Sequence, residues 1–171
     1  MFHRRRDARF CTPKCRLRAF RKGRIVHEIP AELTSKARWV RRTSSKRPVM
    51  VDGSPASSTD PETWTDYRTA AAASKGAGLG FVLNGDGIGV IDLDHCLIDG
   101  KPTEAAAAFL ADYRQNWIEV STSGDGLHIW CRMEPGKGSR TVAANGLHVE
   151  RYTQERYIAL GSRTFQKGAI V

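Results

Sequence analysis

No apolar run in this sequence is long enough to cross a bilayer. The Arg-rich N-terminus is followed by no apolar core of the kind a secretory signal needs, so a cytoplasmic protein is expected. Cysteine is scarce: Cys11, Cys15, Cys96 and Cys131 do not make a disulfide scaffold for 171 residues. No internal repeat is visible, which excludes solenoids and propellers. Acids are almost missing from the first 50 residues, where only Asp7, Glu28 and Glu32 occur. That stretch carries 16 of the 27 Lys and Arg, for a net charge of +13. The remainder is mildly acidic, so the total settles at +9. A basic arm laid on phosphates releases their counterions, which makes nucleic acid the expected partner. A solvated tail is the alternative reading.

What remains reads as one domain with a real core. Residues 1–25 form a basic leader around Cys11 and Cys15, and residues 26–171 form the body. Residues 26–58 look irregular, with Pro30, Pro48, Pro55 and a Ser-rich stretch. Asp60 and Pro61 then predict a helix start, continued by the Ala-rich run from Thr69 and ended by Gly76 and Gly78. Gly80–Leu83 and Ile88–Asp94 read as strands, and Asn84-Gly-Asp-Gly87 between them is a hairpin signal. Thr103–Gln115 reads as a second helix. Three more strands are expected at Trp117–Ser121, Leu127–Met133 and Gly146–Tyr152, with Arg156–Leu160 pairing with the last across a short turn. The sum is an α+β domain with a mostly antiparallel sheet and helices on one side.

Three of these strands carry polar groups where an apolar pattern is interrupted. In Ile91-Asp-Leu-Asp94, alternation puts Asp92 and Asp94 on one face and Ile91 and Leu93 on the other. Two carboxylates side by side repel, and a hard divalent cation between them relieves the repulsion. An exposed strand end with two solvated acids is the alternative. In Ser121-Thr-Ser-Gly-Asp-Gly-Leu-His128, a Ser/Gly turn feeds a strand, so free amides and hydroxyls can hold phosphate oxygens beside His128. In His148-Val-Glu-Arg-Tyr152, Glu150 shares a face with His148 and Tyr152. Three acids converging on one sheet face would suit in-line phosphoryl transfer with two cations.

The order hydrophobic-Asp-hydrophobic-Asp, Ser-Gly-x-Gly-x-His, then a strand acid with Arg-Tyr resembles the archaeo-eukaryotic primase superfamily. It is most similar to the bifunctional primase-polymerase domains of phages, prophages and plasmids. The likeness covers roughly residues 46–165 and includes Lys46-Arg-Pro48, Asp60-Pro61-x-x-Trp64 and Arg156-Tyr157-Ile158. The resemblance implies an RRM-like sheet joined to a smaller N-terminal α/β unit. It implies templated nucleotidyl transfer with Mg²⁺ or Mn²⁺ held by Asp92, Asp94 and Glu150. His128 would contact the incoming nucleotide's phosphates, with Ser123 and Gly126 shaping the turn. Arg156 and Lys46 are further phosphate contacts. The implied partners are single-stranded or primer-template DNA, (d)NTPs and a replicative helicase, either encoded separately or missing from this chain; a monomer in the cytoplasm of a bacterial host is expected.

Two departures stand out: Leu160-Gly161 where the family reads Thr-Gly, and Glu-Arg-Tyr where a hydrophobic residue is expected in the middle. The chain ends at Val171 without a helicase region, which reads as a fragment, a truncated prophage gene or a stand-alone polymerase. Cys11 and Cys15 resemble the second half of a zinc ribbon, read here as a remnant, with Zn²⁺ completed by His3 and His27 the alternative. Cys96 and Cys131 are expected in the core, and His95 is expected to be structural. A degenerate DNA-binding replication module and a metal-dependent nuclease are the competing functions.

The leader has a measurable consequence. Removing residues 1–25 is expected to weaken DNA binding and to flatten the dependence of log K on log salt, because fewer phosphates are neutralised. Fluorescence anisotropy with labelled single-stranded DNA at several salt concentrations reads the slope; an unchanged slope means the leader is only a tail.

Overall fold

The computed structural model describes residues 28–161 and 163–171. The leader, with Cys11, Cys15 and the histidines suggested beside them, lies outside the described residues. The described chain is α+β, and its strands pair antiparallel throughout. No helix among them is long and apolar enough to cross a membrane.

One sheet has four strands in the order β11-β3-β1-β2: β1 (Trp39–Arg42), β2 (Pro48–Val49), β3 (Gly78–Asn84) and β11 (Gln154–Ala159). The other has six in the order β12-β7-β8-β4-β10-β9. They are β4 (Ile88–Asp94), β7 (Trp117–Val120), β8 (Leu127–Arg132), β9 (Ser139–Val142), β10 (His148–Tyr152) and β12 (Arg163–Gln166). A small hairpin, β5 (Leu97–Ile98) with β6 (Lys101–Pro102), follows β4. Among the described residues there are three short α-helices, α1 (Ala31–Thr34), α2 (Tyr67–Ala72) and α3 (Glu104–Leu110), and two 3₁₀ turns.

The turn at Asn84–Gly87 does not close a hairpin. β3 pairs with β1 and β11, while β4 pairs with β8 and β10, so the turn is a corner between sheets. Thr153 makes the same corner between β10 and β11, which corrects the expected pairing of those two strands: β11 pairs with β3 instead. The two corners lie against each other, with the Gly85 N–H donating to the Thr153 carbonyl at 2.9 Å. β3–β4 and β10–β11 are thus two partnered ribbons bent at one place. Gly85 and Gly87 take φ of 84° and 87°, a region open to glycine without strain.

The bend presses the sheets together around Trp39, Phe81, Ile88, Val90, Trp117 and Trp130, all buried. Trp39, Phe81 and Trp130 meet edge to face at 5.1 and 5.7 Å, a favoured aromatic geometry. The opposite face of the six-stranded sheet carries Ile91, Leu93, Ile118, Leu127 and Ile129, and α3 covers it with Ala106 and Phe109. Cys96 and Cys131 sit in this second core as expected, and burial pushes their thiols up to about 12 and about 11.

Two other expectations are corrected. The helix predicted from Asp60 breaks after one 3₁₀ turn, Pro61–Thr63. Trp64 then turns its indole N–H to the Ser57 carbonyl, and Thr65 pairs with Trp39. The helix restarts at Tyr67, capped by Asp66, whose carboxylate accepts from the Thr69 N–H at 3.0 Å. Residues 26–58 are also not irregular throughout, since α1, β1 and β2 lie there. Strand β1 is only Trp-Val-Arg-Arg, and its partner β3 supplies the ladder that so short a run does not announce.

Arg38, 5 % exposed, is held at the corner by the Asn84 side chain and by Asp86 at 2.8 Å. Burial alone would raise the Asp86 pKa, but Arg38 and Lys36 outweigh it and hold the carboxyl below its usual range. A carboxyl depressed in the folded state contributes stability above its unfolded pKa, and that contribution is lost as pH falls through the folded value. Asp86→Ala, which leaves Arg38 buried with one partner fewer, is expected to cost about 2 kcal/mol at pH 7. Urea unfolding at pH 7 and again below pH 3 checks this, with the gap between variant and wild type shrinking in acid.

Candidate active site

The face of the six-stranded sheet that meets the smaller sheet changes character within one step of two residues. Tyr152, Val90, Trp130 and Trp117 form one cross-strand row, and all but Tyr152 are fully buried or nearly so. The next row along the same face reads Arg140, Glu150, Asp92, His128 and Glu119, each the register partner of the one before it. The sheets touch at the aromatic row and part at the charged one. The strand alternation that places Val90 in the core therefore places Asp92 at the edge of a cleft.

That cleft, of about 400 Å³, is lined by Lys46, Asp92, His128, Tyr152 and Arg156, with Tyr157 on its wall. Lys46 reaches it from the β1–β2 turn, where its φ of 62° puts a non-glycine residue in the left-handed region. That turn is held by Thr43, whose N–H donates to the Arg47 carbonyl and whose Oγ1 accepts the Arg47 N–H. Arg156 enters from β11 beside a bulge at Gln154–Arg156, and its guanidinium lies 4.3 Å from the Tyr152 ring centre. Four of the eight residues singled out in the sequence, Asp92, His128, Lys46 and Arg156, thus meet in one cavity although they come from four separate segments.

The Asp92 side chain is 21 % exposed, and its pKa is raised. Burial is the main cause; His128 opposes it, while Asp94 and Glu150 add to it. Burial alone would lower the His128 pKa, but Glu119 and Asp92 outweigh it and the value is raised. His128 Nε2 lies 3.6 Å from Asp92 Oδ1, too far for a hydrogen bond.

The remaining candidates are placed differently. Asp94 follows Asp92 on the same face but lines a neighbouring groove with His148 and Thr103. Glu150 stands directly across from Asp92, on the same face, as the pattern requires. Its carboxylate is taken up by Arg140 Nε at 2.5 Å and by the Tyr152 hydroxyl. Among the described residues no three His, Cys, Asp or Glu side chains are gathered into a group that could hold a metal ion. The donors nevertheless have the right chemistry: Asp92 and Asp94 are hard oxygen ligands on one strand face, one of them destabilised by burial and like charge. Asp92 and Asp94 supply oxygen donors of the kind a divalent cation takes, while the Glu150 carboxylate is engaged by Arg140 and Tyr152.

Ser123 and Gly126 shape the turn between β7 and β8 and do not line the cleft. Ser123 Oγ donates to Asp125 at 2.5 Å, and the Ser121 N–H donates to the Gly126 carbonyl at 2.9 Å. A Cβ on Gly126 would come within 2.8 Å of the Leu93 carbonyl oxygen, so only glycine lets the turn lie against β4. His95 is not structural in the sense expected. It sits in a turn at φ 48°, its side chain 82 % exposed, paired to Asp125 at 2.6 Å.

Sequence reasoning missed Glu119 and Arg140. Glu119 had a signal, a lone acid inside the apolar run Trp117-Ile-Glu-Val120, on the parity of Trp117. Arg140 had none, because β9 is exposed at every position and looks like loop.

No family model matches the chain. It is similar to a protein named DNA Primase-polymerase from Nitratiruptor phage NrS-1, with 36 % identity over 157 residues. The match covers 82 % of this chain and 21 % of the relative, so the chain spans about a fifth of that protein's length. The resemblance read from the motifs is borne out by this match.

Arg140 occupies Glu150 with a side chain that is itself 72 % exposed. An exposed, solvent-screened partner holds only weakly. Arg140→Ala is therefore expected to tighten Mn²⁺ binding roughly two- to fivefold, read by paramagnetic broadening of the His148 and His128 resonances. Unchanged affinity means that Glu150 takes no part in cation binding.

Proposed function

We propose that this chain contains a primase-polymerase domain of the phage type, which joins nucleotides on a DNA template. The observation that carries the reading is the cleft: Asp92 faces Lys46, His128 and Arg156 where the two sheets part. In this reading the six-stranded sheet with α3 on its back is the RRM-like part, and the sheet containing β1–β3 belongs to the smaller N-terminal unit. The substrates are nucleoside triphosphates and a template strand.

The side chains divide the work by charge. Lys46, His128 and Arg156 bring positive charge or donors to one cavity, where they would offset the charge of a triphosphate. Lys46 and Arg156 come from the smaller sheet, so a bound nucleotide would bridge both sheets and hold them at a fixed opening. Arg156 is kept in place by the Tyr152 ring. Asp92 and Asp94 would hold Mg²⁺ or Mn²⁺, with Glu150 joining them on release from Arg140. A divalent cation supplies charge neutralisation and a lower pKa for an attacking hydroxyl. Ser123 and Gly126 act at one remove, by fixing the turn that delivers His128.

A nuclease could use the same acids, yet it has no need of three basic groups arranged around a triphosphate-sized cleft. A DNA-binding module has no need of a buried acid facing them, since acids repel phosphate.

Asp92→Ala separates these readings. Ile91 and Leu93 keep the strand in its core, so the fold is expected to stand. Nucleotide incorporation on a primed template with Mn²⁺ is expected to fall ~100-fold or more, the scale of losing an electrostatic contribution to the transition state. DNA affinity is expected to stay the same or rise slightly. Equal incorporation by wild type and variant would remove the polymerase reading.

A further inference from the structure

Glu119 is the most deeply buried charged side chain of the described residues, with no exposure to solvent. It is not in the cleft. It stands behind His128, on the next strand and in the same cross-strand row. A buried carboxylate is costly unless donors surround it. Here His128 Nδ1 lies 3.0 Å from Oε1, Trp130 Nε1 lies 3.4 Å from the same oxygen, and the Gly161 N–H donates to Oε2 at 3.1 Å.

The third donor depends on close packing. A Cβ on Gly161 would fall 1.7 Å from the Val120 carbonyl oxygen, so the chain after β11 is pressed onto β7 at that point. This is also where the sequence departs from the Thr-Gly expected of its relatives, keeping the glycine and replacing the threonine by Leu160. At least these donors converge on the carboxylate. A glutamine there would have to turn its amide N–H₂ toward one of them, and a buried charged group is often replaceable by well-packed apolar residues when its role is structural alone.

The arrangement has a directional result for His128. With Nδ1 facing a carboxylate, the proton at Nδ1 is fixed and the ring plane is set. Nε2 is then the only ring nitrogen turned toward the cleft, and Asp92 at 3.6 Å leaves it without a short bond.

We infer that Glu119 is a positioning residue, which anchors His128 through Nδ1 so that Nε2 meets the phosphates of the incoming nucleotide. The inference rests on the nucleotidyl-transfer reading and adds to it the device that aims its histidine. Glu119 itself touches neither substrate nor cation.

The test uses wild type, Glu119→Gln, His128→Ala and the double variant, in the full chain. Incorporation kinetics give KM for nucleotide and kcat, and ¹⁵N spectra of labelled histidine report which ring nitrogen carries the proton. In the wild type, His128 Nδ1 is expected to be protonated, a result that needs no variant; a bare Nδ1 overturns the inference. Glu119→Gln is expected to shift the His128 Nδ1 signal and raise KM about tenfold, with a smaller change in kcat and unchanged DNA affinity. The double variant is expected to match His128→Ala, because Glu119 acts only through that ring. An unchanged KM in Glu119→Gln, or a double variant whose defect is the product of the two single ones, overturns the inference. If instead the wild type incorporates no nucleotide while the ring still responds to Glu119→Gln, the nucleotidyl-transfer reading falls and the phosphate contact falls with it.

Discussion

Everything at the cleft depends on a single corner, the point where two paired ribbons bend together. β3 runs into β4 and β10 runs into β11, and each ribbon stays partnered to the other on both sides of the bend. The hydrogen bond from Gly85 to Thr153 joins the corners at the bend itself. Had either strand run straight, the smaller sheet would extend the larger one. Lys46 and Arg156 would then lie far from Asp92. Bending instead brings two sheets face to face, and hydrophobic burial between them drives the closure.

The closure is incomplete in a way the sequence prescribes. Aromatic and aliphatic side chains fill the space near the corner, from Trp117 through Trp130 and Val90 to Tyr152. One step along each strand, charged groups take their place. Asp92 lacks the ring of donors that lets Glu119 be buried in the same row, and the sheets part beside it. The cleft is thus the boundary between apolar and charged rows, and its depth is set by where that boundary falls. The charged row also mixes signs, with Glu150 and Asp92 side by side between Arg140 and His128. Glu119 and Asp92 flank His128, and Arg140 answers Glu150. Each acid has a basic neighbour in the same row, which offsets part of the cost of placing carboxylates beside a core.

The positive groups reach the cleft by strained or irregular backbone. Lys46 and Glu155 both take positive φ without being glycine, and β11 carries a bulge beside Arg156. Regular strands would point these side chains along fixed alternating directions. Irregularity re-aims them, as bulges commonly do beside functional sites. Regular strands therefore supply Asp92 and His128, and a turn and a bulged strand of the other sheet supply the groups that face them.

The sequence by itself determined the strands β4, β7, β8 and β10, the helix α3 and the faces of Asp92, Asp94, His128 and Glu150. Strand alternation is a local property, so a polar residue inside an apolar run declares its side of the sheet without reference to anything distant. The motif order also carried the resemblance that the phage relative bears out. Tertiary structure alone decided which strands are neighbours. Asn84–Gly87 has the chemistry of a hairpin turn, and nothing within it distinguishes a hairpin from a corner, because that depends on whether β4 finds its partners in β3 or in β8 and β10. The same holds for β9 and Arg140, which become visible only as partners of β10, and for the helix broken at Trp64, where an indole bond to Ser57 outweighs a good local start. It holds most of all for Glu119. Its burial, and its place behind His128, come from a pairing between β7 and β8 and from a chain segment some forty residues later that presses Gly161 against it. Local pattern sets which way a side chain points, and only the long-range pairing of strands, driven by burial of the rest of the sheet, sets what it meets there.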